Sequence, residues 1–308
     1  TPDIVDPILD EVPVGDSGNL IVKNNSLFDE VSVPVTGWGI QAPCPIAIID
    51  CAEGLEVAPL TVLHLYGDES IAPEGTIAGW DWSVEQPVGS QSVFIPSSSV
   101  PNPTFEANVA GIYKFELVVY DASNLASCEK EVLEVMVIPD TTIHIELLWN
   151  TPQDPDHTDD GPGTGTDMDL HFLHPYAGGD DNDGDGIPDG WFDNPFDCYW
   201  YNPNPQWGSF EPEIDDDPVL TRSDTDGAGP ESIDLTIPEN GTTYKVGVHY
   251  WDDHGFGPSK ATVRVYIYSQ LVFEITDLGL VDVDMWEVCT IHWPSGAVEA
   301  ITDNQGQY

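Results

Sequence analysis

Short runs of β-branched and aromatic residues, separated by turn residues, are the feature that most limits what this chain can fold into. Three examples are residues 114–120 (KFELVVY), 131–137 (EVLEVMV) and 262–268 (TVRVYIY). Stretches with a helical period are scarce, and 28 Gly and 27 Pro interrupt the 308 residues. This pattern predicts an all-β protein built from tandem β-sandwiches.

The charge of the chain excludes two classes of partner. Seven Lys and Arg stand against 55 Asp and Glu, which gives a formal charge of −48. Nucleic acids and anionic membranes both require clustered cations, which this sequence does not contain. The sequence has no apolar run of about 18 residues, which is the length that a membrane-spanning helix needs. Ten Trp, eleven Tyr and ten Phe are nevertheless enough for folded cores, so we expect neither disorder nor membrane insertion.

Five cysteines indicate an oxidising compartment more than a metal or redox motif. Their spacing fits no C-x-x-C pattern, and they are too few for a disulfide scaffold. The simplest pairing joins Cys198 to Cys289 and Cys51 to Cys128, and leaves Cys44 over. The alternative leaves all five as buried thiols. Since no charged and apolar leader opens the sequence, we expect a processed, secreted chain.

Residues 1–42 contain two predicted strands, 18–23 (GNLIVK) and 30–36 (EVSVPVT), joined by an Asn-Asn-Ser turn. Together with Gly37-Trp38-Gly39 they resemble the last two strands of the Ig-like repeats in choice-of-anchor D and related ASH-type extracellular proteins. The resemblance implies that the earlier strands of such a sandwich are missing. Because an isolated hairpin is marginal in water, either the next domain or strand exchange with a neighbouring copy must complete this arm.

Residues 43–139 resemble a PKD domain. The residues that carry the resemblance are Leu63–Asp68 (LHLYGD), Trp80–Val84 (WDWSV), Asn102–Phe105 (NPTF) and Ala110–Asp121 (AGIYKFELVVYD). The resemblance implies a seven-stranded Ig-like sandwich that serves as a spacer or binding module in extracellular proteins. Trp80 and Trp82 lie on one face at a period of two, which favours a role in core packing over ligand binding.

Residues 140–308 form a third predicted unit. The residues 142–149 (TIHIELLW), 167–171 (DMDLH), 227–231 (GAGPE), 244–251 (YKVGVHYW) and 261–267 (ATVRVYI) resemble the β-sandwich modules of the YfaP-type and pre-peptidase C-terminal families. The resemblance implies a jelly-roll-like, non-catalytic accessory module of a secreted bacterial protein.

The sharpest single motif is residues 181–189 (DNDGDGIPD). Carboxylates at loop positions 1, 3 and 5, Gly at 6, a backbone carbonyl at 7 and Asp at 9 match the first part of a calcium loop. The string also resembles the loops of thrombospondin type 3 repeats and dockerins. Position 12 is Phe192, so another carboxylate must complete the shell, and the alternative is a merely acidic turn. The predicted ligands are Asp181, Asp183, Asp185, the carbonyl of Ile187, Asp189 and Asp193.

A second acidic group is predicted within a stretch that has no cation. Between Lys130 and Arg222 the sequence has no Lys or Arg, whereas 22 of the 55 acids fall there. Carboxylates from this stretch and just beyond it could converge on further calcium ions, and the alternative is a polar strand edge with solvated loops. The candidates are Asp167, Asp169, Asp217, Asp224, Asp226 and Glu231.

Catalytic chemistry is not indicated by the sequence. Most of the eight His follow residue 140, with His171 near His174 and His249 near His254. An H-x-x-H pair on a strand points to opposite faces, however, and there is no H-E-x-x-H helix for a zinc hydrolase. No nucleophile elbow or phosphate-binding glycine loop occurs. We therefore expect a protein that is not an enzyme.

Two functions remain as hypotheses. The first is a secreted, calcium-stabilised structural protein of a bacterial surface or matrix, which forms a fibre with copies of itself if its N-terminal strands complete a neighbour. The second is a carbohydrate-binding or accessory module of a larger secreted hydrolase, which would bind polysaccharide. Its candidate stacking residues, which could equally pack internally, are Trp191, Phe192, Tyr199, Trp200, Tyr201 and Trp207.

Overall fold

The computed structural model confirms the all-β prediction. It describes residues 15–23, 30–38 and 43–307, apart from 160, 162, 182–185, 187, 212, 226 and 302–304, and for 15–23, 30–38 and 305–307 it describes the backbone alone. The described residues contain twenty strands and no α-helix. No helix that could cross a membrane occurs in this part of the chain.

The predicted N-terminal hairpin forms and is slightly longer than expected. Strands β1 (Gly15–Lys23) and β2 (Glu30–Trp38) pair antiparallel over nine residues, with Leu20 opposite Val33. Among the described strands, β1 and β2 pair with each other and with no third strand.

The next seven strands make two small sheets around one core. They are β3 (Asp50–Cys51), β4 (Glu56–Val57), β5 (Thr61–Tyr66), β6 (Ile77–Glu85), β7 (Thr104–Ala107), β8 (Gly111–Asp121) and β9 (Glu131–Val137). The sheet orders are β3-β5-β7 and β4-β9-β8-β6. Alternate residues of each strand face inward, as the period of two requires. Trp82 is buried in this core with Phe105 and Phe115, and Trp80 packs at its edge.

The remaining strands form a second, larger sandwich. They are β10 (Ile143–Asn150), β11 (Asp167–Leu173), β12 (Asp197–Cys198), β13 (Val219–Arg222), β14 (Glu231–Leu235), β15 (Thr243–Asp252), β16 (Ser259–Ile267), β17 (Gln270–Leu280), β18 (Asp284–His292), β19 (Ala297–Ala300) and β20 (Gln305–Gln307). One sheet has the order β13-β14-β10-β16-β17, and the other has the order β12-β11-β15-β18-β19 with β20 paired to β18. The core between the sheets includes Met168, Leu170 and Phe172 of β11.

The two sandwiches meet through a buried polar interface on β10. Glu146 is fully buried, and its Oε1 accepts a hydrogen bond of 2.7 Å from the backbone N–H of Ala110 in the first sandwich. Arg264 donates to the carbonyl of Val88 at 3.2 Å. Gly89, with φ of 96°, lies so close to Leu148 that a Cβ there would be 2.5 Å from the Leu148 Cδ1. Contacts this close join the two sandwiches directly.

The predicted disulfide pairing is wrong. Cys128 bonds to Cys44, not to Cys51, and Cys51, Cys198 and Cys289 are buried free thiols. Cys198 and Cys289 lie in register across one sheet, but strands β11 and β15 separate them. Three strand spacings of about 4.8 Å put them about 14 Å apart, and a disulfide needs Cα atoms within about 7 Å.

Candidate functional site

The candidate site lies on the outer face of the β11–β15 pair. Since alternate residues of β11 face the core, Asp169 and His171 point to the other side of the sheet. In the antiparallel register Asp169 is opposite His249, and His171 is opposite Gly247. The three polar side chains therefore share one face, on adjacent strands.

Asp169, His171 and His249 form a compact buried cluster. One ligand atom from each lies within 4.8 Å of the other two, and the Asp169 Oδ2 is 3.8 Å from the His249 Nδ1. The residues are 3%, 0% and 4% exposed. Aspartate and imidazole are the ligand types of a divalent transition-metal site. The sequence contained half of the signal, since Asp169 and His171 stand at a period of two.

A carboxylate behind the cluster fixes the orientation of His171. Asp197 begins β12, and its Oδ2 is 2.7 Å from the His171 Nδ1. The same oxygen accepts a hydrogen bond of 2.7 Å from the Phe192 N–H. Burial raises the pKa of Asp197, and the charge and hydrogen bond of His171 oppose that shift. Sequence reasoning missed Asp197 because its partner stands 26 residues earlier.

Aromatic side chains cover the cluster, and they come from the segment between β11 and β12 (residues 174–196, the covering segment) and from Tyr199 just after β12. Tyr199 stacks on the His171 ring with centroids 4.9 Å apart, and Phe192 meets the His171 and His249 rings edge-on at 4.9 and 5.3 Å. Trp191 lies over Gly247, where an added Cβ would be 2.5 Å from the indole ring. A glycine at this position is thus required for the segment to approach the sheet.

Part of the predicted second acidic group also lies here. Glu231 is buried, and it accepts hydrogen bonds from the N–H groups of Leu170 at 2.7 Å and Asp224 at 3.2 Å. Burial and the nearby Asp169 raise the pKa of Glu231 well above its ordinary value. Burial and Asp169 likewise raise the pKa of Asp167 to about 7. Four of the six candidates are thus electrostatic neighbours.

The other two candidates are not seen in this group. Asp217 accepts hydrogen bonds from the N–H groups of Trp207 at 2.7 Å and Gly208 at 3.4 Å, so it stabilises a turn elsewhere. Asp226 lies outside the described residues. Calcium binding by this group stays a prediction.

The described residues of the predicted calcium loop belong to the covering segment. Gly186, with φ of 89°, donates its N–H to the Asp181 Oδ2 at 2.9 Å, which joins positions 6 and 1 of the motif. At the base of the turn the Asp189 N–H donates to the Asp180 carbonyl at 3.0 Å. Asp193 accepts a hydrogen bond of 2.6 Å from the Gly178 N–H. These contacts fit a loop that could wrap a cation. Asp183, Asp185 and Ile187 lie outside the described residues.

A third acidic group was not foreseen from the sequence. Asp252, Asp253 and Asp282 place one carboxylate oxygen each within 4.8 Å of the others, and all three are at least partly exposed. The Asp253 N–H donates to the Asp282 Oδ1 at 3.1 Å. No local motif signals this group, because Asp282 comes from a separate turn 29 residues later.

The candidate stacking aromatics divide into buried and exposed sets. Trp191 and Tyr199 are buried at the cluster, and Trp207 stacks on Tyr244 with centroids 5.9 Å apart. The exposed candidates are Trp200 and Tyr201, at 45% and 65%, and beside them lies Trp251, which was not among the candidates and is 51% exposed. The Trp200 ring centroid lies 5.5 Å from that of Tyr201 and 6.2 Å from that of Trp251. We call these three residues the aromatic patch.

The histidine pairs suggested by sequence proximity do not form sites. His174 packs against Tyr176, Phe196 and Trp207, away from the partners of His171. The His254 Nδ1 lies 2.8 Å from the carbonyl oxygen of Gly165. The pairing that does occur, His171 with His249, joins residues 78 positions apart.

Comparisons with known proteins find a structural likeness but no match in sequence. No protein-family model and no curated protein matches the chain. A solved structure of a carbohydrate-binding module from the β-sandwich superfamily is similar to it at 15% identity, over 78% of this chain and 100% of that one. The TM-score is 0.27, so this likeness carries no argument about ligands.

Proposed function

We propose that this chain is a secreted, non-catalytic, calcium-stabilised structural protein of a bacterial surface or matrix. The observation that carries the proposal is the acidic motif at residues 181–189, in which the Gly186 N–H donates to the Asp181 carboxylate at 2.9 Å. A bound Ca²⁺ would offset the repulsion among its carboxylates and hold the covering segment in place. The exposed group Asp252, Asp253 and Asp282 offers a second position for such an ion.

Two further features support a secreted structural role. The Cys44–Cys128 disulfide is typical of an oxidising compartment. The formal charge of −48 keeps the protein solvated and favours divalent cations over anionic partners.

Calcium dependence is tested by thermal unfolding in two states. The protein is first unfolded with 2 equivalents or an excess of Ca²⁺, and then after a chelator has removed the ion. We expect the midpoint to fall when calcium is removed, and Asp181→Asn to lose most of that response. Asp81→Asn, at an exposed strand position of the first sandwich, is the matched control and should respond as the natural chain does. An equal calcium response in both variants would remove the loop from the proposal.

Assembly into a fibre rests on the N-terminal hairpin. In the described residues β1 and β2 leave both outer edges unpaired, and open edges bind further strands. We expect electron microscopy to show fibres or arrays of the natural chain, and a variant lacking residues 1–40 to remain as single particles. Unchanged assembly after that deletion would contradict strand exchange.

Polysaccharide binding is the second candidate, and the aromatic patch favours it. Three neighbouring, half-exposed rings offer a stacking surface for sugars. A polysaccharide pull-down should retain the natural chain and release the Trp200→Ala and Trp251→Ala variants. Phe210→Ala, which removes an exposed ring outside the patch, is the control. Retention of all three variants alike would exclude the patch.

A further inference from the structure

The buried cluster beneath the covering segment has the chemistry of a different ion from calcium. The Asp169 Oδ2, the His171 Nε2 and the His249 Nδ1 are all buried, and none has a hydrogen-bond partner. Leaving one such buried atom unpaired is destabilising. Three of them facing one another on adjacent strands need a common partner, and a cation that accepts their lone pairs would supply it.

The geometry around His171 suits metal binding. Its Nδ1 lies 2.7 Å from the Asp197 carboxylate, and a hydrogen bond donated there leaves the imidazole lone pair on the Nε2 that faces the cluster. A carboxylate behind a ligating imidazole is the usual second layer of a transition-metal site. Asp197 is itself held by the Phe192 N–H, which ties the covering segment to the same network.

The ligand set favours Zn²⁺ over Ca²⁺. Calcium prefers six to eight oxygens, whereas zinc binds imidazole nitrogen and carboxylate oxygen in sites of about four ligands. Asp167, two residues before Asp169 on β11, has a buried Oδ1 without a partner and is a candidate for a further ligand. The Tyr199 and Phe192 rings exclude solvent, which is typical of a structural ion.

We propose that Asp169, His171 and His249 bind one Zn²⁺ ion, with Asp197 as a positioning residue, and that this ion locks the segment between β11 and β12 onto the sheet. The site is independent of the calcium loop, and it adds a second metal to the proposed function. The ligand atoms, now up to 4.8 Å apart, must move closer by up to about 1.4 Å, since atoms bound to one zinc at about 2.0–2.1 Å lie about 3.4 Å apart.

The test is zinc titration of the full chain, stripped with chelator and held in excess Ca²⁺ so that the acidic loops are filled. Calorimetry should give one Zn²⁺ per chain. We expect His249→Gln and His171→Gln to weaken binding at least about 100-fold, and Asp197→Asn to weaken it about 10- to 100-fold. His292→Gln, at a half-exposed histidine outside the cluster, and Asp181→Asn, in the calcium loop, should bind zinc as the natural chain does. Natural affinity in His249→Gln would overturn the assignment.

A measurement on the natural chain keeps the test valid even if a variant does not fold. X-ray absorption at the zinc edge should show two imidazole groups and oxygen at about 2.0–2.1 Å. Sulfur at about 2.3 Å would instead place the ion on the free thiols Cys51, Cys198 or Cys289 and overturn the proposal. Absence of stoichiometric zinc binding would overturn it as well. If the natural chain binds zinc but its stability does not depend on calcium, the proposed function is refuted and the zinc site is retained.

Discussion

His144 at the interface between the sandwiches should make stability depend on pH in the alkaline range. Its Nδ1 is 2.7 Å from Asp234, and its Nε2 is 3.3 Å from the buried Glu146. Burial alone would lower the pKa of His144, but hydrogen bonds to the two carboxylates and their charges raise it from 6.5 to about 9. The histidine is therefore a buried cation at neutral pH.

The size and direction of the effect follow from linkage. A pKa near 9 in the folded chain against 6.5 in the unfolded chain corresponds to about 3 kcal/mol, since each pH unit is worth about 1.4 kcal/mol. Because the folded pKa is the higher one, this stabilisation is complete below pH 6.5. It is lost as the pH rises through about 9.

Urea unfolding at fixed calcium between pH 6 and pH 10 measures this contribution. We expect His144→Gln to be about 3 kcal/mol less stable than the natural chain at pH 6, and the two stability curves to converge above pH 9. His292→Gln controls for titration of exposed histidines. An NMR titration should place the His144 midpoint near 9. A gap between the natural chain and His144→Gln that stays constant from pH 6 to 10 would refute the ion-pair interpretation.

Two further predictions concern thiols and loop packing. Denatured, unreduced protein should give three reactive thiols per chain; one thiol would indicate the pairing expected from the sequence, and five would indicate no disulfide. Gly247→Ala should destabilise the chain by about 1–3 kcal/mol, because its Cβ would overlap Trp191. Gly279→Ala is the control on another strand, since a Cβ there meets nothing within 4 Å. Equal unfolding midpoints for the two variants would contradict the packing of Trp191 against Gly247.

Strand positions could be predicted from the sequence because their signals are local. In β8 the alternation of Tyr113, Phe115, Leu117 and Val119 is visible in the letters, and these four side chains are buried. The N-terminal hairpin could also be predicted from the sequence, since its turn residues lie between two short apolar runs. A period of two needs no knowledge of the rest of the chain.

The candidate site could be predicted only in part from the sequence, because it depends on the register between distant strands. The spacing of Asp169 and His171 predicts a shared face, but nothing local indicates that His249 stands opposite Asp169. The disulfide prediction was wrong for the same reason. Pairing Cys198 with Cys289 is natural in sequence order, yet two strands separate them in the sheet.

The buried Glu146 also determines how the two sandwiches behave as a pair. Its carboxylate binds the Ala110 N–H of the first sandwich and the Tyr266 hydroxyl of the second, with Arg264 3.8 Å away. Separating the sandwiches would break the bond to Ala110 while Glu146 stayed beside His144, so the network favours one rigid body over two loosely linked modules.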